Sequence, residues 1–178
     1  MPRLLLFLSM QSHQVFDNFL TETEFQSLKN AICFNKEFPF YLYNDVTFHD
    51  KVTENWSWYG VHILYSNSVP NSPYFKDIFN IFNSKIKEII GFKSLIRIKI
   101  NFYPHTETLK EHSQHSDYPY AHNAAIFSLN TCDGFTRILD DIKVDSIENR
   151  MLFFDGSLPH NSTTTTHSGR FNINFNWI

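Results

Sequence analysis

Three residues in the last third of the chain could share one metal ion. His115-Ser116-Asp117 sets an imidazole and a carboxylate two positions apart, and a further imidazole, His160, follows 45 residues later. Two neutral imidazoles and one carboxylate suit non-haem iron(II), which they hold on one face while the opposite positions stay open. Ten residues beyond His160 stands Arg170. Its planar, permanently charged guanidinium binds a carboxylate through two parallel hydrogen bonds, which a lysine cannot copy. A His-x-Asp triplet is short, and the chain offers competitors. His105 and Glu107 form a second His-x-acid pair, and His112 is a further candidate ligand. If the histidines held zinc instead, a closed four-ligand site would be needed, with a residue such as His112 completing it.

Strands must carry these residues. From 96 to 103 the pattern has period two: Ile96, Ile98, Ile100 and Phe102 alternate with Arg97, Lys99, Asn101 and Tyr103. Further strand candidates lie at 123–130, 135–139, 151–154 and 171–177. Turn signals at Asp133-Gly134, Asp155-Gly156 and Ser168-Gly169 separate them. Many short strands with regular turns predict a jelly roll. In the last strand Phe171, Ile173, Phe175 and Trp177 share one face, while Arg170, Asn172, Asn174 and Asn176 share the other. An ordinary apolar lumen would not take three Asn and an Arg. The Arg170 face is therefore predicted to point inward at a polar site, with Tyr103 on the matching face of its own strand.

Helices are expected earlier. A strand-like run at 15–20 feeds a helix capped by Thr21, with Glu24 reaching back in a capping box and Phe25, Leu28 and Ile32 on one face. A second helix starts at Ser72-Pro73 and stops at Gly91. It carries an apolar stripe of Phe75, Ile78, Phe79, Phe82, Ile86 and Ile89. The predicted fold class is mainly β with flanking helices (α+β): a double-stranded β-helix (jelly-roll) core with helices on one outer face. One domain over 1–178 is expected, with support elements in about 1–94 and the core in about 95–178. Tyr41, Tyr43, Trp56, Trp58 and Tyr59 are concentrated between Pro39 and Tyr65, where they line a substrate mouth or fill core.

Bulk properties exclude some classes. A formal charge of −3 gives no general attraction to polyanions. The basic run Lys85, Lys87, Lys93, Arg97 and Lys99 is read as a solvated face. Only Cys33 and Cys132 are present, too few for a disulfide framework, which favours a reducing, cytoplasmic setting. Leu4 to Leu8 is expected to be a buried first strand, and no stretch is long enough to span a membrane.

The order His115, Asp117, His160, Arg170 resembles that of the Fe(II)- and 2-oxoglutarate-dependent oxygenases, particularly the prolyl-hydroxylase-like branch. Tyr103-Pro104 resembles the Tyr-Pro ahead of that family's His-x-Asp. The run from Asn149 to Asp155 before Leu158-Pro159-His160 resembles its approach to the distal His, and Asp133-Gly134-Phe135-Thr136 its Gly-rich turn. The likeness covers about residues 95–178. It implies Fe(II) held by His115, Asp117 and His160, with 2-oxoglutarate as cosubstrate and O2 as oxidant. It also implies that Arg170 takes the far carboxylate and that the Tyr103 hydroxyl faces the cosubstrate. Where the family often has Arg-x-Ser, this chain has Arg170-Phe171-Asn172, and Asn172 can donate a hydrogen bond in place of the hydroxyl. The implied reaction hydroxylates a C–H bond of a protein side chain or small metabolite while 2-oxoglutarate is decarboxylated to succinate. Alternatives are a non-catalytic zinc-binding jelly-roll module and a nucleic-acid demethylase of the same fold. Demethylases usually carry a second Arg after the one matching Arg170. No Arg or Lys follows it here, so no nucleic-acid partner is expected.

Overall fold

The period-two segments form strands, and the two apolar stripes form helices. The structure is a computed structural model that describes residues 12–47, 56–91 and 93–178; the expected first strand at Leu4 to Leu8 lies outside them. In chain order the elements are β1 (His13–Phe16), α1 (Glu22–Lys29), a π-helical turn (Asn30–Phe34), β2 (Tyr41–Tyr43), β3 (Tyr59–Ser66), β4 (Val69–Pro70) and α2 (Phe75–Ile90). Then follow β5 (Leu95–Tyr103), β6 (Asn123–Ser128), β7 (Phe135–Ile138), β8 (Ile142–Asp145), β9 (Arg150–Asp155), β10 (His160–Ser162) and β11 (Arg170–Trp177). One sheet runs β1-β9-β6-β11-β5-β3-β2, with β4 paired to β3, and a smaller one runs β10-β7-β8. All the pairings between these strands are antiparallel. Two sheets with helices on one outer face make the expected jelly-roll arrangement.

Both helix termini on the helical face follow from local chemistry. The Thr21 side chain accepts from the Glu24 backbone N–H at 3.4 Å, and the Thr21 N–H donates to the Glu24 carboxylate at 3.0 Å, which closes the predicted capping box. Helix α2 ends at Gly91, whose φ of 64° suits a residue without a side chain. Its start differs from the sequence reading. Ser72 and Pro73 form a turn just ahead of it, and Tyr74 occupies the cap position without a side-chain bond. The Ser72 hydroxyl accepts from the Tyr74 N–H at 3.2 Å and also meets His62 Nε2 at 2.7 Å, so a tertiary contact competes with the cap.

The large sheet has two chemically different faces. Ile98 and Ile100 of β5, Ile173, Phe175 and Trp177 of β11, and Phe127 of β6 pack outward against Phe25 and Leu28 of α1 and Ile78, Phe82 and Ile86 of α2. Inward, Ala124, Ile126, Leu152 and Phe154 meet Ile138 and Val144 of the small sheet. The inner face of β5 and β11 stays polar, and Asn101, Arg170, Asn172, Asn174 and Asn176 are all buried. Among the described residues no helix is long and apolar enough to cross a membrane.

Phe82 is fully buried and its ring lies 5.0 Å from that of Phe127 and 4.9 Å from that of Phe175. Phe82→Ala is expected to lower stability by about 3–5 kcal/mol, measured by urea unfolding, with the fold retained.

Candidate metal centre

His115 and His160 face each other across an antiparallel bridge. The N–H of each donates to the carbonyl of the other, both at 2.9 Å. Such a reciprocal pair sets the two Cα atoms roughly 5.5 Å apart with their side chains on one side. The rings accordingly lie 4.7 Å apart, centroid to centroid. Two residues after His115, Asp117 brings its Oδ2 to 3.7 Å from His160 Nε2. One ligand atom from each of the three lies within 4.8 Å of the others. Donors about 2.1 Å from a common ion stand roughly 3–4 Å apart, so small side-chain rotations complete the set. His160 Nδ1 lies 2.8 Å from the Leu158 carbonyl. It donates there, which leaves the Nε2 lone pair facing Asp117.

Asp117 is itself held. Its Oδ1 accepts from Arg97 Nη2 at 2.5 Å and its Oδ2 from Asn176 Nδ2 at 2.8 Å, while Arg97 Nε donates to Asn176 Oδ1 at 3.1 Å. Burial would raise the Asp117 pKa, but Arg97, Lys99, His160 and Asn176 outweigh it and hold the carboxyl well below its ordinary range. Burial, reinforced by His160, pushes the His115 pKa down to about 4. Burial likewise lowers that of His160, against a pull from Asp117. An anionic carboxylate beside two neutral imidazoles is the protonation state that a metal ion requires.

The polar inner face continues away from this cluster as a ladder. Opposite one another on β11 and β5 stand Asn176 and Arg97, Asn174 and Lys99, Asn172 and Asn101, and Arg170 and Tyr103. Lys99, Tyr103 and Asn172 line the same cavity as His115, Asp117 and His160. Arg170 is 1% exposed and lies behind Thr136, another lining residue. Its Nη2 donates to Thr136 Oγ1 at 2.9 Å and its Nη1 to the Thr163 carbonyl at 3.3 Å, while Nε has no partner. Among the described residues no carboxylate lies within ion-pair distance of it. A buried cation with only neutral acceptors is costly, so the site is suited to receive an anion. The guanidinium carbon sits 5.3 Å from the Tyr103 ring centre. Burial raises the Tyr103 pKa against the pull of Arg170, Ser162 and Asn172, which keeps the phenol protonated and able to donate. Asn172 Oδ1 is taken by Asn101 Nδ2 at 2.8 Å, which fixes the amide orientation. Gly134 is glycine for a local reason: a Cβ there would stand 2.7 Å from Arg170 Cδ and 2.9 Å from the Thr164 carbonyl.

The basic run divides differently from the sequence reading. Lys85 pairs with Glu24 at 3.1 Å on the helical side. Arg97 and Lys99, expected on a solvated face, instead lie on the inner face of β5 and take part in the site. Alternation with Ile98 and Ile100 was the available signal, since it puts both cations on the side of Tyr103. Burial and Arg97 push the Lys99 pKa down to about 8. The rival ligands fall outside the cluster. His105 Nδ1 meets the Thr166 and His167 carbonyls at 3.0 and 3.1 Å, and His112 is buried against Trp56 and Tyr103. Of the aromatics between Pro39 and Tyr65, Tyr59 stacks on Tyr103 at 5.8 Å, whereas Tyr41 and Tyr43 are exposed on β2.

No protein-family model and no curated protein matches the sequence. The fold is nevertheless shared with solved 2-oxoglutarate–Fe(II) oxygenases. A Trichoplax adhaerens prolyl hydroxylase in complex with a hypoxia-inducible-factor oxygen-degradation-domain peptide aligns over 98% of this chain and 87% of its own, with a TM-score of 0.68 and 14% identity. A 2OG-Fe(II) oxygenase family oxidoreductase from Burkholderia pseudomallei aligns over 97% and 88%, with a TM-score of 0.71 and 10% identity. HygX from Streptomyces hygroscopicus, with nickel and 2-oxoglutarate bound, aligns over 99% and 86%, with a TM-score of 0.64 and 11% identity.

The depressed histidine pKa has a direction that can be measured. Between pH 6.5 and about 4 the unfolded chain protonates position 115 while the folded one does not. Stability of the metal-free protein is therefore expected to fall on acidification through that window, by on the order of 2–3 kcal/mol from this residue. Denaturation followed across pH should show a shallower slope in His115→Gln.

Proposed function

We propose that the protein is an Fe(II)- and 2-oxoglutarate-dependent dioxygenase that hydroxylates a C–H bond of a protein side chain or small molecule. His115, Asp117 and His160 hold the iron. Arg170 receives the far carboxylate of 2-oxoglutarate, with Tyr103 and Asn172 beside it. The observation that carries this reading is the pairing of two unsatisfied features on one inner face. A three-donor cluster has two neutral imidazoles and an anionic carboxylate within 4.8 Å, and a fully buried guanidinium behind the same cavity lacks an acidic partner among the described residues. Three donors, with no fourth His, Cys, Asp or Glu joining them among the described residues, favour an open site over the closed zinc site.

Iron(II) with 2-oxoglutarate supplies oxygen activation: one oxygen atom enters the substrate C–H bond, the other enters the succinate carboxylate, and carbon dioxide leaves. The chain's own residues orient and protect. Arg97 and Asn176 keep the Asp117 carboxylate ionised and aimed at His160. The Leu158 carbonyl fixes the His160 tautomer. Arg170 aligns the diacid along the ladder, and the Tyr103 phenol is placed to donate to it. Apolar Ile126 on the lining limits water. The peptide held by the Trichoplax enzyme supports a protein side chain as one substrate class. Both cysteines are free thiols, which fits the reducing, cytoplasmic setting.

Anaerobic addition of Fe(II) and 2-oxoglutarate should give a weak visible metal-to-ligand band. Arg170→Ala should weaken 2-oxoglutarate binding, read from that band, by ~100-fold or more. His160→Ala should abolish stoichiometric metal by elemental analysis. A band that never forms, or one indifferent to Arg170→Ala, would remove the oxygenase reading.

A further inference from the structure

Resting on the oxygenase reading, we infer that the substrate carries a carboxylate near its reacting carbon and that Lys99 is the residue that selects it. Lys99 lines the cavity together with His115, Asp117 and His160. Its ammonium lies 5.8 Å from the centre of the Tyr59 ring, a contact that steadies a cation without neutralising it. Among the described residues no carboxylate stands within ion-pair distance of it. Asp117, the nearest acidic group of the site, is already engaged on both oxygens by Arg97 and Asn176. Lys99 is thus the cation of this face that is neither holding a ligand residue, as Arg97 does, nor bonded to neutral acceptors, as Arg170 is.

Charge balance points the same way. A divalent ion, Arg97, Lys99 and Arg170 bring five positive charges to the inner face, against one negative charge from Asp117. Bound 2-oxoglutarate would cancel two of the four that remain. A half-buried excess of positive charge favours a further anion over a neutral or cationic group. The ladder also separates the two acid sites. Lys99 pairs with Asn174 and Tyr103 with Arg170, four residues apart along each strand, roughly 13 Å at 3.3 Å per residue. Lys99 stands one rung from Arg97 and Asn176, which hold Asp117, and two rungs from Tyr103 and Arg170, so it lies nearer the metal ligands than the far-carboxylate site, where the reacting carbon of a substrate would be met. A lysine is a compact point charge on a flexible stem, suited to attracting one carboxylate without dictating a bidentate geometry.

The test uses wild type, Lys99→Met and Lys99→Arg, each loaded anaerobically with Fe(II) and 2-oxoglutarate. Glycine-flanked peptide amides centred on Asp, Glu, Asn, Gln, Lys or Pro are titrated by calorimetry. Free aspartate, glutamate and their amides form a small-molecule arm. The acidic members of one arm should bind wild type ~tenfold or more tightly than their Asn and Gln isosteres. Lys99→Met should erase that difference and Lys99→Arg should retain it. The 2-oxoglutarate affinity, read from the visible band, should change less in Lys99→Met than the affinity for the acidic probes does. The inference is overturned if neither arm shows acidic probes binding wild type better than neutral ones, including the case in which none binds. It is equally overturned if Lys99→Met weakens 2-oxoglutarate instead. The wild-type comparison decides the matter even if Lys99→Met fails to fold. Absence of the band would sink the oxygenase reading as well. A normal band without the acidic preference would sink this inference alone.

Discussion

The centre depends on one reciprocal pair of backbone hydrogen bonds. His115 and His160 exchange N–H and carbonyl groups at 2.9 Å, and that exchange sets both imidazoles side by side without any side-chain contact having to bring them together. Main-chain pairing is a good positioning device because its geometry is fixed and insensitive to which side chains it carries. The same bridge determines where Asp117 falls, since the residue two positions on returns to the same side of an extended chain. Three donors from distant parts of the sequence are held by a single local constraint.

That constraint sits in a sandwich whose polarity is reversed along two strands. Strands β5 and β11 send their apolar residues outward onto α1 and α2 and their Asn, Arg, Lys and Tyr inward. The helices are therefore part of how the site exists. Without an apolar layer outside, Ile98, Ile100, Ile173 and Phe175 would seek the lumen and turn the polar face to solvent, because a one-residue slip exchanges the faces of a strand. The buried polar groups are costly unless satisfied. Several are satisfied by one another, as in Asn101 to Asn172 and Arg97 to both Asn176 and Asp117. Others, Arg170 Nε and Asn174 Oδ1 among them, have no partner among the described residues and lie where ligands are proposed to bind.

Electrostatics within the cavity divide labour among like charges. Arg97 is used up on Asp117, so it sets the ionisation of the carboxylate and contributes little attraction to a ligand. Arg170 is packed so tightly that Gly134 must lack a side chain beside it. Its fork is thereby pre-oriented, which would reduce the entropy lost on binding the carboxylate proposed for it. Lys99 lies beside the Tyr59 ring on the cavity lining. Three cations on one ladder meet three different surroundings because their neighbours differ.

Much of this was legible in the primary structure. Alternation in 96–103 and 171–177 fixed which residues share a face, because side-chain period in a strand is a local property. The capping box at Thr21, the stripe of α2 and its stop at Gly91 were local for the same reason. Three short strands, β4, β8 and β10, leave no mark in the sequence because two to four residues are too few to display a period. Ser72 fits a cap by local pattern, which does not contain its tertiary bond to His62. Sequence proximity groups Arg97 and Lys99 with the lysines of α2, although those lysines lie on a helix and Arg97 and Lys99 on the inside of a sheet. Residue types alone also could not choose among His105, His112 and His115. Only chain pairing brings position 115 to position 160, and register between strands is decided by long-range hydrogen bonds and by which face the helices cover, neither of which a local pattern contains.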